Sequence, residues 1–441
     1  MVQASIFPGS DFLKFTIFLI KNRFPVLRSI TLLFLISLAC SLAAQPSPGD
    51  LFREYTWYNA SGDCNGALRV GGTLDYRLTN NVDHLREEGQ MLPGFNVDLT
   101  GAVRAELVIE KLLCHQDTRG LRVSINGHDP IRLPESEHIP VPQSAYAHHF
   151  NAVVPVELTL LDKGPDNSFS FEVDTAGHWW PQNLVYGMIL RIYYRSGSVE
   201  ERGNIILPRD GDILDTLNQI IYVAPPGEKI EKTDLVGFYE DADLEGNGLY
   251  QQWYNSYHKC QIYSHIGTIS GFPYEFIWNT EWLPEKDEKI RLAAFIHRSD
   301  GLIYMTDPVN NLVLDRSGMS VELCKPYRRP RRWYTRNGTF EERFQIKGDL
   351  NQAIEAKLVF RSWSPGYFNG IYINNFIVFM REGPRYDYYL HNIPVEALYA
   401  LKQEENILRT GKTPLYSGIM VHGVEIQWPG IMLSVKYKSN N

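Results

Sequence analysis

Two separate stretches of this chain, Leu121–Leu161 and Ile371–Leu401, run through one pattern, and that repetition limits the fold more than any other feature. Each begins as an alternating strand ending in Ile-Asn, at Ile125-Asn126 and Ile373-Asn374. Each then passes through a Pro-containing loop to a histidine, His148-His149 in the first and His391 in the second. A hydrophobic-Pro-Val-Glu step follows, Val154–Glu157 and Ile393–Glu396. The strands entering the stretches match (Ala105–Ile109 and Ala356–Phe360), and each copy closes on an aromatic-Pro pair before another alternating strand. Those closures are Trp180-Pro181 before Met188–Tyr194, and Trp428-Pro429 before Met432–Tyr437. Period-two alternation broken by Gly, Pro and Asn is the signature of strands and turns. One block used twice therefore predicts two all-β units.

A chain of 441 residues holds more than two such blocks, and two or three domains are expected. The order read from the sequence is a leader over 1–44, a sandwich over 45–197, a connector over 198–232, a different β unit over 233–322 and the second sandwich over 323–441. The connector is rich in Gly, Pro and charge, with one short helix expected over Ile213–Ile220. In the leader, Lys14, Lys21, Arg23 and Arg28 precede the apolar run Ile30–Leu38, and small residues lead to Ala43-Ala44. That is the layout of a secretory signal cut after Ala44, with a lipid-anchored Cys40 as the alternative. Export to the cell surface, the periplasm or the medium is the resulting expectation. The apolar run is short of the roughly 20 residues a membrane span needs, and no later segment is a transmembrane candidate.

Without a leader that carries four bases and one acid, 39 Lys+Arg stand against 50 Asp+Glu, a net charge of −11. A nucleic-acid partner is thereby excluded, since phosphate binding needs a basic footprint. Four cysteines remain, and export permits disulfides. Cys64–Cys114 is one pairing within the first unit, and no Cys/His spacing suggests zinc.

The Ile-Asn turn, the Pro-Val-Glu strand start and the closing strands Met188–Tyr194 and Met432–Tyr437 resemble the galactose-binding-like jelly roll of carbohydrate-binding modules. That resemblance implies two jelly-roll β-sandwiches related by internal duplication. Between them, Pro273-Tyr274-Glu275-Phe276-Ile277-Trp278-Asn279-Thr280, with Asp300-Gly301 behind a later strand, resembles the immunoglobulin-like modules of bacterial surface proteins. It implies a spacer without chemistry.

Exposed indoles stack on sugar rings and need polar neighbours to fix the hydroxyls. The aromatic-Pro corners offer Trp179, Trp180 and Trp428, with Trp57, Trp363 and Asn126 as neighbours; the plainer alternative is a Trp capping each core. His149 and His391 would bond a sugar or a metal, or simply satisfy backbone carbonyls at a strand corner. The junction Lys325–Arg336, with Arg331 and Trp333 at its centre, concentrates bases and rings in an acidic protein and suits an anionic polysaccharide; a solvated linker reads equally well. Asp241, Asp243, Glu245 and Asn247 alternate as in a calcium loop, but Gln252 stands where the bidentate Glu belongs. Calcium is thus the one cofactor suggested, beside an ordinary acidic turn. No Gly-x-Ser-x-Gly, His-Glu-x-x-His or phosphate-loop motif is present. The sequence thus favours non-catalytic binding of extracellular or cell-surface carbohydrate. A structural, protein-docking component of the surface comes next, and a polysaccharide lyase or glycosidase third.

Overall fold

The computed structural model describes residues 46–438, except 59–66, 71–75, 80–89, 92–94, 114–119, 142, 144–145, 175–182, 196–202, 225–228, 286–288, 328–333, 336–338, 364–369, 380–382, 385–386 and 411–423. The leader, Cys40, Cys64, Cys114, Trp179, Trp180, Arg331 and Trp333 lie outside the described residues. What is described is all-β, with three 3₁₀ turns. Among the described residues no helix is long and apolar enough to cross a membrane.

The first sandwich has one sheet built from Leu51–Tyr58, Asn183–Tyr194, Ala102–Leu113 and His148–Val156, in that spatial order. A second sheet holds Tyr76–Thr79, Ser168–Glu172 and Arg122–Ile125, with Gln90–Met91 and Ile131–Arg132 at its edges. Alternation sends Leu107, Ile109, Val154, Leu190 and Ile192 inward against Val123, Ile125, Phe169 and Phe171. The opposite side of the first sheet carries Glu106, Glu110, His149 and Arg191, and it is buried as well. A charged face without water means that something else covers it.

The other sandwich repeats this plan. Met319–Cys324, Met432–Lys438 and Ala353–Trp363 lie side by side, with Tyr388–Pro394 on the far edge of Ala353–Trp363. Glu341–Gln345, Glu405–Thr410, Ile371–Ile373 and Phe376–Phe379 form the facing sheet. Leu358, Phe360, Leu433 and Val435 pack on Phe344, Ile371, Ile373 and Leu408.

Between them the connector is not a connector. Leu217–Val223 pairs with Asn204–Leu207 on one side and with Glu275–Asn279 on the other, as a sheet of the middle unit. The helix expected over Ile213–Ile220 is two strands, Ile213–Leu214 and Leu217–Val223. In the second, Asn218, Ile220 and Tyr222 are buried while their neighbours face outward, a period of two that leaves no helical stripe. The facing sheet has Ile230–Glu240 beside Ile290–Arg298, and Trp278 sits in the core between. This sheet does not stop at the unit's edge. Ile303–Met305 pairs with Ile290–Arg298 on one side and with Leu51–Tyr58 on the other, so one sheet runs through both units.

The two Ile-Asn turns carry one bond set. Asn126 and Asn374 both sit in the left-handed region, at φ 50° and 47°. Asn126 donates to the Leu160 carbonyl (2.9 Å) and to Asn167, and accepts from the Ser168 amide (2.8 Å). Asn374 donates to the Ala400 carbonyl (2.9 Å) and to Asn406, and accepts from the Ile407 amide (2.9 Å). Asn tolerates this backbone and its amide satisfies groups on the facing hairpin. Asn126→Ala and Asn374→Ala should each cost about 2–3 kcal/mol by orphaning those groups. Urea unfolding measures this, and a change under about 0.5 kcal/mol, that of a neutral surface site, would refute the scaffold role.

Candidate functional site

The covered charged faces meet in a polar hub contributed by all three units. Glu110, from Ala102–Leu113, accepts from His149 Nε2 at 3.1 Å, and its Oε1 lies 2.9 Å from His258 Nδ1. Its other oxygen accepts from the Lys259 amide at 2.6 Å. His258 and Lys259 form the tip of the hairpin Ser256–His258/Gln261–Tyr263, which the middle unit lays over the first sandwich. Asn151 holds that hairpin by exchanging two bonds with the Tyr257 backbone. From the second sandwich, the Tyr388 hydroxyl donates to Glu110 and contacts His258, while Arg361 bonds His149 Nδ1 and the Tyr263 hydroxyl.

Protonation follows from these partners. Arg361 only donates, so His149 Nδ1 accepts and Nε2 carries the proton toward Glu110. Burial, reinforced by the Arg361 charge, takes His149 down to about 3, and the ring is neutral. Burial opposes ionisation of Glu110, but its bonds to His149 and His258 outweigh it and hold the carboxyl at about 2. Burial beside Glu110 drives the Tyr388 phenol well above its usual range. The hub is therefore a carboxylate and a guanidinium joined through a neutral imidazole, with a neutral phenol as fourth member.

Strand register shows which positions correspond in the two sandwiches. Pro155 lies opposite Glu106 and Pro394 opposite Lys357. Counting back from these prolines, His149 (opposite Leu112) corresponds to Tyr388 (opposite Trp363), and His391 corresponds to Ala152. The expectation that His149 and His391 share one corner is thus corrected by three positions. His391 is buried, stacked on Phe360 at 4.4 Å and bonded to Ser362. The corresponding residues His149 and Tyr388 touch each other, ring centroids 4.4 Å apart.

Most of the remaining expected site residues are built into the protein. Trp57 lies in the first core, and Trp363 is buried with its indole N–H on the Tyr186 hydroxyl at 3.2 Å. Trp428 is buried edge-on to Tyr146 at 5.1 Å, and its amide bonds the Ala147 carbonyl across the two sandwiches. Their faces are spent on packing, so none of the three offers a platform to a sugar. Asn126 is consumed by its turn. In the acidic loop Asp243 accepts from the amides of Gly246, Asn247 and Gly248, and Asn247 bonds Glu245 and Gln252. Asp241 caps the Ala242 amide. Burial pushes Asp241 up to about 6 and Asp243 up to about 7. Among the described residues no three His, Cys, Asp or Glu side chains gather closely enough to hold a metal ion. Cys260 and Cys324 are free thiols.

No family model matches the chain, and no curated protein matches it. Among solved structures it is similar to the fibronectin(III)-like modules of Clostridium thermocellum CbhA, at 12% identity over 43% of this chain and 77% of that one, TM-score 0.18. It is also similar to BuGH86 in complex with neoagarooctaose, at 10% identity over 53% and 34%, TM-score 0.22. BpGH86A, a β-porphyranase of glycoside hydrolase family 86 from Bacteroides plebeius, gives 8% over 51% and 35%, TM-score 0.21. The chain spans about a third of the length of the latter two. Scores this low transfer no activity.

Proposed function

We propose that the chain is exported and binds extracellular or cell-surface carbohydrate without catalysis, its two jelly-roll sandwiches being copies of one block with an immunoglobulin-like unit between them in sequence. One observation carries the binding role: an exposed aromatic corner on the second sandwich. Tyr399 is 79% exposed and Phe376 44%, their rings edge-to-face at 5.3 Å, with Ile377 beside them and Asn375 next in the chain. The corresponding places after Asn126 and in the turn Leu158–Leu160 hold His128, Asp129 and Thr159. The same turn therefore folds without these rings, and their exposure is a cost the scaffold does not require. Rings of this kind stack on the C–H faces of pyranoses, with neighbouring amides serving the hydroxyls.

The lyase reading has one observation on its side, the gathering of Tyr388, His258 and Arg361 around Glu110. A lyase base must reach the sugar and lose its proton. Tyr388 is only 7% exposed, donates to Glu110 and has its phenol pushed upward. Binding is the better reading. Tyr399→Ala should reduce retention on polysaccharide affinity gels at least tenfold with the unfolding midpoint unchanged. Unaltered retention, or new unsaturated or reducing ends after incubation, would overturn it.

A further inference from the structure

A second candidate site lies where the first sandwich meets the middle unit. Phe52, Glu54 and Thr56, alternate residues on one face of Leu51–Tyr58, form one wall of a cavity of about 260 Å³. The other walls include Asp234, Tyr257, Phe295 and His297. The volume is below the roughly 300–1,000 Å³ of drug-sized pockets, which limits an occupant to one small ring.

Its chemistry is built rather than incidental. Asp234 is 2% exposed, yet its carboxylate is held by Thr268 Oγ1 at 2.6 Å and Lys232 Nζ at 2.9 Å, with His297 Nε2 at 2.7 Å. Across the cavity Glu54 accepts from Arg191 Nε at 2.7 Å, and Arg191 also donates to the Tyr257 hydroxyl at 2.6 Å. The lining sets Glu54, Glu231 and Asp234 against Lys232, His297 and Arg298, and Glu54 shares Arg191 with Glu106, a balance that offers no excess of positive charge to an anionic sugar. The walls present fixed acceptors and donors around aromatic edges, Phe52 and Phe295 meeting at 6.2 Å. Nucleophilic chemistry is not among the options, since the Cys260 thiol in the wall donates to the Trp57 carbonyl and burial pushes it far up.

We infer that this cavity binds a single neutral saccharide ring, vicinal hydroxyls on Glu54, Asp234 and His297 and the C–H face on Tyr257, the half-buried ring of the lining. The inference rests on the carbohydrate-binding reading but uses none of the residues of the aromatic corner. Ligand-observed saturation-transfer NMR on the full chain, with galactose, glucose, mannose and N-acetylglucosamine as probes, tests it. At least one hexose should show transfer. Thr56→Trp, an exposed position at the cavity rim, should abolish it without touching the core, and Glu54→Gln should weaken it at least fivefold. Tyr399→Ala should leave it unchanged.

Retention on polysaccharide with no hexose transfer, or with transfer indifferent to Thr56→Trp, overturns the cavity alone. Hexose transfer lost in Thr56→Trp without polysaccharide retention upholds the cavity and overturns the corner. Neither signal overturns both.

Discussion

Arg361→Ala should destabilise the protein by about 3–5 kcal/mol, the range for breaking a buried ion pair from one side. Arg361 is buried, and through His149 it is the cation that answers Glu110. Its removal leaves that buried carboxylate with only its histidine partners, His149 and His258, and orphans His149 Nδ1. Arg361→Lys should recover little, because one ammonium cannot replace a fork that meets both His149 and Tyr263. Arg361→Met combined with Glu110→Gln should cost clearly less than the two single changes added, since the pair then leaves together. Urea midpoints at pH 7 measure all of these. A loss under 1 kcal/mol for Arg361→Ala would mean that the hub does not hold the units together.

The second large effect is a stability plateau that ends in a steep acid collapse. His149 and His391 are lowered from 6.5 to about 3 and about 4, chiefly by burial. Between those values and 6.5 the unfolded chain binds two protons that the fold refuses, which lowers stability as the pH falls. Asp241 and Asp243 are raised from 3.8 to about 6 and about 7 by burial, and Glu245 is raised likewise. There the fold holds protons that the unfolded chain releases, which lowers stability as the pH rises. From about pH 4.5 to 6 the two sets offset to within about one proton, and the unfolding free energy should vary little.

Below that, Glu110 and Glu135 take over. Burial opposes their ionisation, but their histidine partners, with Lys111 beside Glu135, hold both at about 2 against an ordinary 4.5. Their contribution is complete above 4.5 and lost as the pH falls toward 2. At about 1.4 kcal/mol per unit, the loss amounts to several kcal/mol. Urea titrations from pH 8 to 2 test the shape. A uniform decline beginning at pH 7 would show that Asp241 and Asp243 are ionised in the fold.

The all-β class was legible because alternation and turn residues are local, and the Asn turns are scaffold corners in both sandwiches. The hub was not legible in that way, because Glu110, His149, His258, Arg361 and Tyr388 are far apart in the chain and only packing brings them together. One signal was available. In the matched strands Ala105-Glu-Leu-Val-Ile-Glu110 and Ala356-Lys-Leu-Val-Phe-Arg361, the inward residues agree while the outward charges reverse sign. Equal cores with opposite exteriors suit two blocks that face each other. Pairing histidine with histidine hid this, since the register pairs His149 with Tyr388. Trp57, Trp363 and Trp428 follow the core-capping alternative, which composition cannot tell from a sugar platform. Ile213–Ile220 looked helical only while its partner strand, Glu275–Asn279, was out of view.

The shared sheet also sets an order of events during synthesis. Leu51–Tyr58 leaves the ribosome early, but its partner Asn183–Tyr194 comes much later, and Leu51 and Phe52 wait for Tyr304 and Ile303. Until then the first strand has an open flank, and the nascent protein must carry it past the whole first sandwich. Closure between such distant segments is slow and leaves an edge exposed to other chains. The final seam of the first unit is thus sewn by residues of the second.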